Sequence, residues 1–192
     1  MSGVSKTIVV EGSPEDLATA ARKKAREGRE IEKKFAALYY GRRGRKYRVG
    51  KEIFTATYRA LPLTRIEVIK HGVAASAVEG IASAMGAGQE VVIRSLGIPK
   101  STFARKRQQG ALLEKEQSEL VVGLAKLIGQ VEVLIEEQGD PTGFDAAKWF
   151  QRWADEPVPA LGGRKPRELL DTKEGQQLVG TVLETIRAGA YA

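Results

Sequence analysis

Residues 88–110 read GQEVVIRSLGIPKSTFARKRQQG and predict two short helices joined by a tight turn. The first helix covers about residues 89–96, and its apolar residues recur on one face at helical spacing: Val92, Ile93 and Leu96. Gly97 follows at the place of a left-handed residue that ends a helix, a conformation that glycine adopts without a steric penalty. Pro99 cannot extend the first helix, so the chain is expected to turn here.

The second helix of this pair carries the positive charge. It begins near Ser101, with Lys100, Ser101 or Thr102 close to its N-cap, and ends before Gly110. Phe103 is predicted to point inward, which leaves basic and polar side chains facing outward. A helix, a glycine-containing turn and a second helix form the helix-turn-helix pattern, whose second helix enters the DNA major groove. The alternative is an ordinary helical hairpin with a solvated basic face.

Six side chains of the second helix are the candidate contacts to DNA. Their ammonium, guanidinium and hydroxyl groups match the donors and acceptors that bases offer, and one bidentate contact discriminates by roughly 1–3 kcal/mol. These residues are Lys100, Ser101, Thr102, Arg105, Lys106 and Arg107.

The composition is that of an intracellular globular protein. The length of 192 residues suits one or two small domains, and 42% hydrophobic residues suffice for a core. The chain contains no cysteine, which fits a reducing cytosol. Its first residues lack the apolar region of a signal peptide, and no apolar run approaches the roughly 20 residues that span a bilayer. We therefore expect a cytoplasmic protein with no membrane partner.

The net charge of +7 is distributed unevenly along the chain. Residues 1–60 contribute +8, residues 61–110 contribute +4 and residues 111–192 contribute −5. A basic first half and an acidic second half indicate two partners, a polyanion for the first half and a different molecule for the second.

The N-terminal residues are predicted to be a basic extension. Residues 6–10 would pair as a short strand where a sheet edge is available. Residues 13–40 have a good helix start and a weak coiled-coil seam, and a lone amphipathic or partly ordered helix is the simpler interpretation. Residues 41–51 (GRRGRKYRVGK) form a basic loop that either clamps phosphates or is a solvated linker.

The next segments lead into the helix-turn-helix. Residues 51–58 (KEIFTATY) are mixed and β-branched and predict a short strand. Leu61-Pro62-Leu63 breaks this strand, and Thr64 is predicted to cap a turn toward Gly72. Residues 73–85 repeat apolar side chains at helical spacing, which predicts the third helix that closes the core of such a module.

The longest periodic run of the chain follows Gly110 and ends at Gly139-Asp140-Pro141. Apolar residues recur in it at three- and four-residue steps from Leu113 to Ile135. This stripe belongs either to the core or to a dimer seam, and the spacing does not distinguish the two.

The last segment is denser in structural signals. Both tryptophans lie in one short predicted helix at residues 144–154, where an aromatic cluster is more often core than ligand site. Residues 155–165 (DEPVPALGGRK) form a Pro/Gly loop, Pro166 starts a short helix, and Thr172 caps the final helix. Gly189 is predicted to close that helix.

Nothing in the sequence predicts catalysis. There is no nucleophile–base constellation and no phosphate-binding glycine loop. His71 is the only histidine, and without cysteine it cannot anchor a typical zinc site. We expect no enzymatic activity, no cofactor and no metal.

The order of segments resembles the Xre/MbcA/ParS-type antitoxins of bacterial RES–Xre toxin–antitoxin systems, over roughly residues 73–192. The family's C-terminal pattern has a Trp-containing helix, then Asn/Pro-Ala-Leu-Gly-Gly, Pro-x-x-Leu-Leu, and a Gly-x-x-x-Val helix ending in Ile-x-x-Gly. The corresponding residues are Trp149 or Trp153, Ala160-Leu161-Gly162-Gly163, Pro166-Leu169-Leu170, Gly175-Val179 and Ile186-Gly189. The chain departs from the pattern at Val158, where asparagine is usual, and in its longer, more basic N-terminus.

The sequence and the resemblance together predict a mainly all-α fold in three parts. Residues 1–60 would be a basic, partly ordered extension with a helix and a loop. Residues 61–138 would be an Xre-like helix-turn-helix domain with a long dimerisation or core helix, and residues 139–192 a small helical toxin-binding domain.

The resemblance also implies the function of a type II antitoxin. Such a protein neutralises a RES-domain toxin, which is similar to ADP-ribosyl-transferring folds that use NAD, by occluding its active site. It also binds its own promoter DNA as a dimer and represses transcription. The alternative is a plain dimeric helix-turn-helix regulator whose C-terminal domain only oligomerises.

Five C-terminal side chains are the candidate toxin contacts. Those near the chain end would thread into a cleft, where a guanidinium pairs with acidic or polar groups that line a cofactor pocket. The five residues are Arg164, Lys165, Arg167, Arg187 and Tyr191.

Overall fold

The computed structural model describes residues 51–138 and 142–187, together with the helical residue Thr19. These ranges are helical apart from short turns and loops. They contain no strand, and one isolated antiparallel bridge pairs Ala74 with Leu112. The predicted all-α class is therefore confirmed.

The helices follow one another with short connections. In chain order they are α1 Lys51–Arg59, α2 Pro62–His71, α3 Ala75–Met85, α4 Gln89–Ser95, α5 Lys100–Gln108, α6 Lys115–Gln138, α7 Ala146–Trp153 and α8 Lys173–Arg187. Two 3-10 segments, Pro159–Leu161 and Pro166–Leu169, lie between α7 and α8. Within the described ranges, no helix has both the length and the apolar character needed to cross a membrane.

Helix α6 is the element on which most others pack. It contacts α1, α2, α7 and α8. Its buried apolar side chains are Val121, Val122, Leu124, Ala125, Leu127, Ile128, Val131, Val133 and Leu134. Each large side chain buried in this way stabilises the fold by about 1.5–3 kcal/mol. The long apolar stripe therefore belongs mainly to the core of the single chain.

The prediction of a strand at residues 51–58 is wrong, because these residues form helix α1. Phe54 is only 1% exposed and lies in the core cluster. Its carbonyl oxygen approaches Gly129 of α6 so closely that an added Cβ there would collide with it. Burial of one helical face against α6 outweighs the β-propensity of the branched residues, because propensity is worth less than packing.

The turn predicted from Thr64 toward Gly72 is also wrong, because the chain forms helix α2 here. Leu61 is its N-cap and Pro62 its first helical residue, a position where the missing proline N–H is not needed. Gly72 ends the helix with φ 99°, and its N–H donates to the Val68 carbonyl at 3.0 Å. Of the expected break at residues 61–63, only Leu61 lies between α1 and α2, because Pro62 and Leu63 belong to α2.

The other helix predictions hold with small shifts in their bounds. The third helix begins at Ala75, and the segment at Pro166 is a 3-10 turn. Thr172 caps α8, because its Oγ1 accepts the Gly175 N–H at 3.0 Å. Phe150 and Trp153 are 0% and 9% exposed, so the aromatic cluster lies mainly in the core.

Several expectations concern residues outside the described ranges. They are the strand at residues 6–10, most of the helix at 13–40, the basic loop up to residue 50, the helix end at Gly139-Asp140-Pro141 and the closure at Gly189.

Two buried glutamines fix α8 against α6. Gln130 Nε2 donates to the Gly180 carbonyl at 2.9 Å and to Glu184 Oε1 at 2.8 Å. Gln176 Nε2 donates to the Leu120 carbonyl at 3.0 Å. Because a buried amide without a partner is costly, these bonds select one register of α8 along α6.

Replacing Gly129 with alanine should destabilise the protein by about 1–3 kcal/mol, because the new methyl group collides with the α1 backbone, which cannot move without unpacking. Urea unfolding followed by circular dichroism measures the change. Gly180→Ala is the matched control, since its Cβ would meet Gln130 and Leu127 side chains only at 3.4 Å. Equal stability of the two variants would contradict the close approach of α1 to α6.

Candidate functional site

The turn between α4 and α5 has the geometry predicted from Gly97, whose φ is 61°. The Gly97 N–H donates to the Arg94 carbonyl at 3.0 Å, and the Ile98 N–H donates to the Ile93 carbonyl at 2.9 Å. This pair of bonds is the Schellman closure of a helix, and Ile93 and Ile98 are both buried at the turn. The turn therefore sets the direction in which α5 leaves α4.

Helix α5 is anchored by one aromatic side chain. It begins at Lys100 with Pro99 as its N-cap, so Ser101 and Thr102 lie in its first turn. Phe103 is 1% exposed, which confirms its predicted inward direction. The helix contacts α3 and α4 through this side, so its opposite side remains open to solvent.

The outer side of α5 carries a polar stripe. Ser101, Arg105 and Gln108 are exposed and spaced by four and three residues, so they lie on one face. We call these three residues the exposed stripe of α5. Two of them were predicted as DNA contacts, and Gln108 was not, although its spacing from Ser101 and Arg105 would have identified it. Thr102 is half-buried beside the stripe.

The other three predicted cations are each paired with a carboxylate of a neighbouring segment. The pairs are Lys100 with Glu90 (2.6 Å), Lys106 with Glu114 (2.5 Å), and Arg107 with Glu79. Hydrogen bonds from the lysines hold the pKa of the Glu90 and Glu114 carboxyls below their ordinary value. The pairs of Lys100 and Arg107 are exposed and add little stability, so a phosphate can replace the carboxylate there at small cost. The Lys106 side chain is only 15% exposed, so it does not face outward as predicted.

The second predicted surface lies in the loop between α7 and α8. The Val158 N–H donates to the Arg164 carbonyl at 3.1 Å, and the Gly163 N–H donates to the Val158 carbonyl at 3.0 Å. Gly162 and Gly163 have φ values of 67° and 78°, which explains why two glycines stand together here. We call residues 158–165 the closed loop; Arg164 and Lys165 are exposed on it.

Arg167 belongs to the same segment but points inward, and its side chain is 17% exposed. Its Nε and Nη2 lie 2.5 and 2.7 Å from the two carboxylate oxygens of Asp155. Nη2 also lies 3.2 Å from the Gln151 carbonyl oxygen, and Nη1 lies 3.1 Å from Ser95 Oγ on α4. The guanidinium predicted to contact a toxin thus uses its donors to join the C-terminal segment to the helix-turn-helix.

The structure brings Arg164 and Lys165 together and places Arg167 apart from them. Helix α8 ends at Arg187, whose side chain lies outside the description, as does all of Tyr191. Among the described residues, no group of three or more His, Asp and Glu side chains could hold a metal ion. The features that remain are two candidate binding surfaces, one basic helix and one closed loop.

The Asp155–Arg167 pair should make stability depend on pH. The hydrogen bond from Arg167 holds the pKa of the Asp155 carboxyl below its ordinary value of 3.8. A depressed folded-state pKa means that the pair stabilises the protein above that ordinary value, and that this contribution is lost as the pH falls through the folded value.

Asp155→Asn should therefore lower the unfolding free energy by about 0.5–1 kcal/mol at neutral pH, the range for a partly exposed pair. The difference from wild type should shrink as the pH falls below the ordinary value of 3.8 and through the lowered folded-state pKa of Asp155. Urea unfolding at several pH values measures both effects, with Glu156→Gln as the control for losing a neighbouring exposed carboxylate. Wild-type stability of Asp155→Asn at neutral pH would show that the pair contributes nothing.

Known proteins match both parts of the chain. Residues 64–126 match the family described as Antitoxin Xre-like helix-turn-helix domain. Residues 143–189 match the family described as Antitoxin Xre/MbcA/ParS C-terminal toxin-binding domain. The first match contains α3 to α5, and the second contains α7, the closed loop and α8.

Two relatives extend over most of the chain. A protein named Prs ADP-ribosylating antitoxin, from Sphingobium sp. (strain YBL2), is 45% identical over 139 residues, which are 72% of this chain and 87% of the relative. Antitoxin Xre from Yersinia enterocolitica (serotype O:8 / biotype 1B, strain NCTC 13174 / 8081) is 24% identical over 136 residues, 69% of this chain and 86% of that protein. The chain therefore belongs to the Xre/MbcA/ParS antitoxin family, with a helix-turn-helix domain followed by a toxin-binding domain.

Proposed function

We propose that this antitoxin neutralises a RES-domain toxin and also represses the promoter of its own operon. The observation that carries the second part is the exposed stripe of α5, which stands on the second helix of a helix-turn-helix. In this proposal residues 61–138 bind DNA, residues 139–192 bind toxin, and residues 1–60 are a basic extension. The protein acts in the cytoplasm by binding and has no enzymatic activity.

The chemistry of α5 fits a major-groove helix. Arg105 stands in the middle of the exposed stripe, and a guanidinium there can hold guanine O6 and N7 with two hydrogen bonds. Ser101 and Gln108 on either side can donate to bases and accept from them. Phe103 is buried on the opposite side of α5 and fixes the helix in place. The exposed stripe is therefore already ordered, so binding to DNA costs little conformational entropy.

The flanking cations suit the phosphate backbone. Lys100 and Arg107 are exposed, and each has a carboxylate partner that a phosphate replaces on binding. Contacts of this kind position the helix without reading sequence, and they make affinity fall steeply with salt. A homodimer would read two half-sites about one DNA turn, roughly 34–36 Å, apart.

The closed loop is the surface proposed for the toxin. Arg164 and Lys165 are exposed on a loop held by backbone hydrogen bonds, so binding costs little ordering. Arg187 and Tyr191 would extend this contact toward the NAD pocket of the toxin and block it. The name of the Sphingobium relative includes ADP-ribosylation of Prs, which favours a toxin that transfers ADP-ribose from NAD.

Arg105→Ala should weaken binding to the operon's own promoter by about 1–3 kcal/mol, roughly 5- to 150-fold, because it removes a base contact. Fluorescence anisotropy with a labelled promoter fragment, at several salt concentrations, gives the affinity and its salt dependence. Arg152→Ala removes the same charge from an exposed site on α7 and serves as the control. Equal affinities for the two variants would exclude the exposed stripe as the base-reading surface.

Arg164→Ala combined with Lys165→Ala should reduce capture of the co-expressed RES-domain toxin at least about tenfold, since two charge-assisted contacts are lost. Affinity purification followed by titration calorimetry measures the loss. The control is the double variant Lys70→Ala and Lys115→Ala, which removes the same charge outside residues 139–192. If the wild-type chain captures no toxin but still binds the promoter, the protein is instead a dimeric regulator whose C-terminal domain only oligomerises.

A further inference from the structure

We propose that residues 27–38 of the N-terminal extension dock as an amphipathic helix into an open groove between α2 and α8, with Glu27 beside Lys126. The contact forms within one chain and needs neither toxin nor DNA. It would add one more helix to those that pack on α6.

The groove runs along α6 and has a volume of about 810 Å³. Side chains within residues 119–130 of α6 form its floor, and they extend over about 17 Å at 1.5 Å per residue. Side chains within residues 62–69 of α2 form one wall, and side chains within residues 173–184 of α8 form the other. We call this site the α2–α8 groove. A groove bounded by helices on three sides and open on the fourth suits one further helix.

The α2 wall of the groove leaves apolar surface in contact with water. Ile66 lines the groove and is 43% exposed. Ile69 also lines it and is only partly buried against the core. Covering these two side chains with another helix removes apolar surface from water, which favours docking.

The unpaired charge of the α2–α8 groove is positive. Glu119 is paired with Lys173, and Glu184 Oε1 accepts a hydrogen bond from Gln130 Nε2 at 2.8 Å. Lys126 on the floor has no hydrogen bond or ion pair with any described residue. The groove therefore suits an occupant that combines apolar side chains with a carboxylate.

A second cation strengthens this preference. Lys126 is exposed, so a carboxylate can reach it. The groove still removes part of its water, and this desolvation, together with the nearby Arg65 guanidinium, lowers the pKa of the Lys126 ammonium below 10.5. Arg65 is held in place, because its Nη1 donates to the carbonyl oxygens of Thr57 and Tyr58 at 3.2 and 3.1 Å. A carboxylate bound between the two cations is attracted by both.

Residues 27–38 (EGREIEKKFAAL) have the side chains that the groove requires. In a helix, Ile31, Phe35 and Leu38 share one side, because they are four and three residues apart. Glu27 lies one turn before Ile31 on that side, so it can reach a cation beside the apolar floor. Gly28 weakens this helix in isolation, so its order should depend on docking.

The length of the connecting chain permits this contact. Residues 39–50 reach at most about 40 Å when extended, and α1 begins directly after them at Lys51. Tyr58 lies one residue before the end of α1 and lines the groove, so the groove begins about 12 Å from Lys51 along α1. A tethered helix has an effective concentration on the order of millimolar, which favours it over a second copy of the chain.

Amide hydrogen exchange of the full-length chain tests the docking. In the wild type we expect residues 27–38 to exchange at least about tenfold more slowly than in the Ile66→Gln variant, because docking orders the helix. Leu63→Gln is the matched control, since Leu63 is on the same helix, is 72% exposed and does not line the groove. This control should keep the wild-type protection. Both positions are exposed, and thermal unfolding checks that both variants keep the fold.

A charge exchange tests the ion pair within the same experiment. Lys126→Glu should remove the protection of residues 27–38, because it places a carboxylate next to Glu27. Combining it with Glu27→Lys should restore the protection, since the pair is then reversed in sign. A double variant that is no better protected than Lys126→Glu would overturn the pairing.

The concentration dependence identifies the occupant of the groove. Docking within one chain should give the same protection at high and low protein concentration. Protection that disappears on dilution would assign the groove to a second copy and overturn the proposal. It is overturned equally if residues 27–38 of the wild type exchange without protection, or if Ile66→Gln leaves their protection unchanged.

Discussion

The burial of α6 is the constraint on which the rest of the structure depends. Its apolar side chains face α1, α2, α7 and α8, so that one helix forms the centre of both the N-terminal and the C-terminal parts of the described chain. Two buried glutamines then fix α8 in one register, and Gly129 lets α1 approach within backbone contact. The helix-turn-helix joins this centre through contacts of α3 with α7 and of α4 with the second 3-10 segment.

This arrangement separates the two surfaces proposed for binding. The exposed stripe of α5 is polar and flanked by cations, and its position depends on Phe103 and on the Gly97 turn. The closed loop presents two cations on a rigid backbone, and its position depends on hydrogen bonds at Val158. The rest of the fold holds both surfaces in place before a partner binds. Specific binding then costs little conformational entropy. Family membership supplies the antitoxin function, and the geometry supplies a reason why each surface can serve it.

The sequence predicted correctly those parts of the fold that depend on a residue and its near neighbours in the chain. The Gly97 turn follows from the backbone freedom of glycine, and the Thr172 cap follows from a hydroxyl that accepts a backbone N–H. The inward direction of Phe103 follows from helical periodicity. Residues 51–58 were mispredicted because α6, far along the chain, decides their conformation through packing. The same limit applied to the long apolar stripe, since spacing alone does not say whether a helix is covered by its own chain or by a partner.

The candidate site shows the same division. Exposure of Ser101 and Arg105 followed from the helical pattern, whereas the carboxylate partners of Lys106 and Arg107 come from other segments and had no local signal. The inward direction of Arg167 depends on Ser95, 72 residues away in sequence.

We propose that DNA and toxin occupy separate surfaces of one chain. Sedimentation velocity of the antitoxin with its own promoter DNA and the RES-domain toxin tests it directly: we expect one complex that contains all three, and displacement of the DNA by saturating toxin would contradict the account.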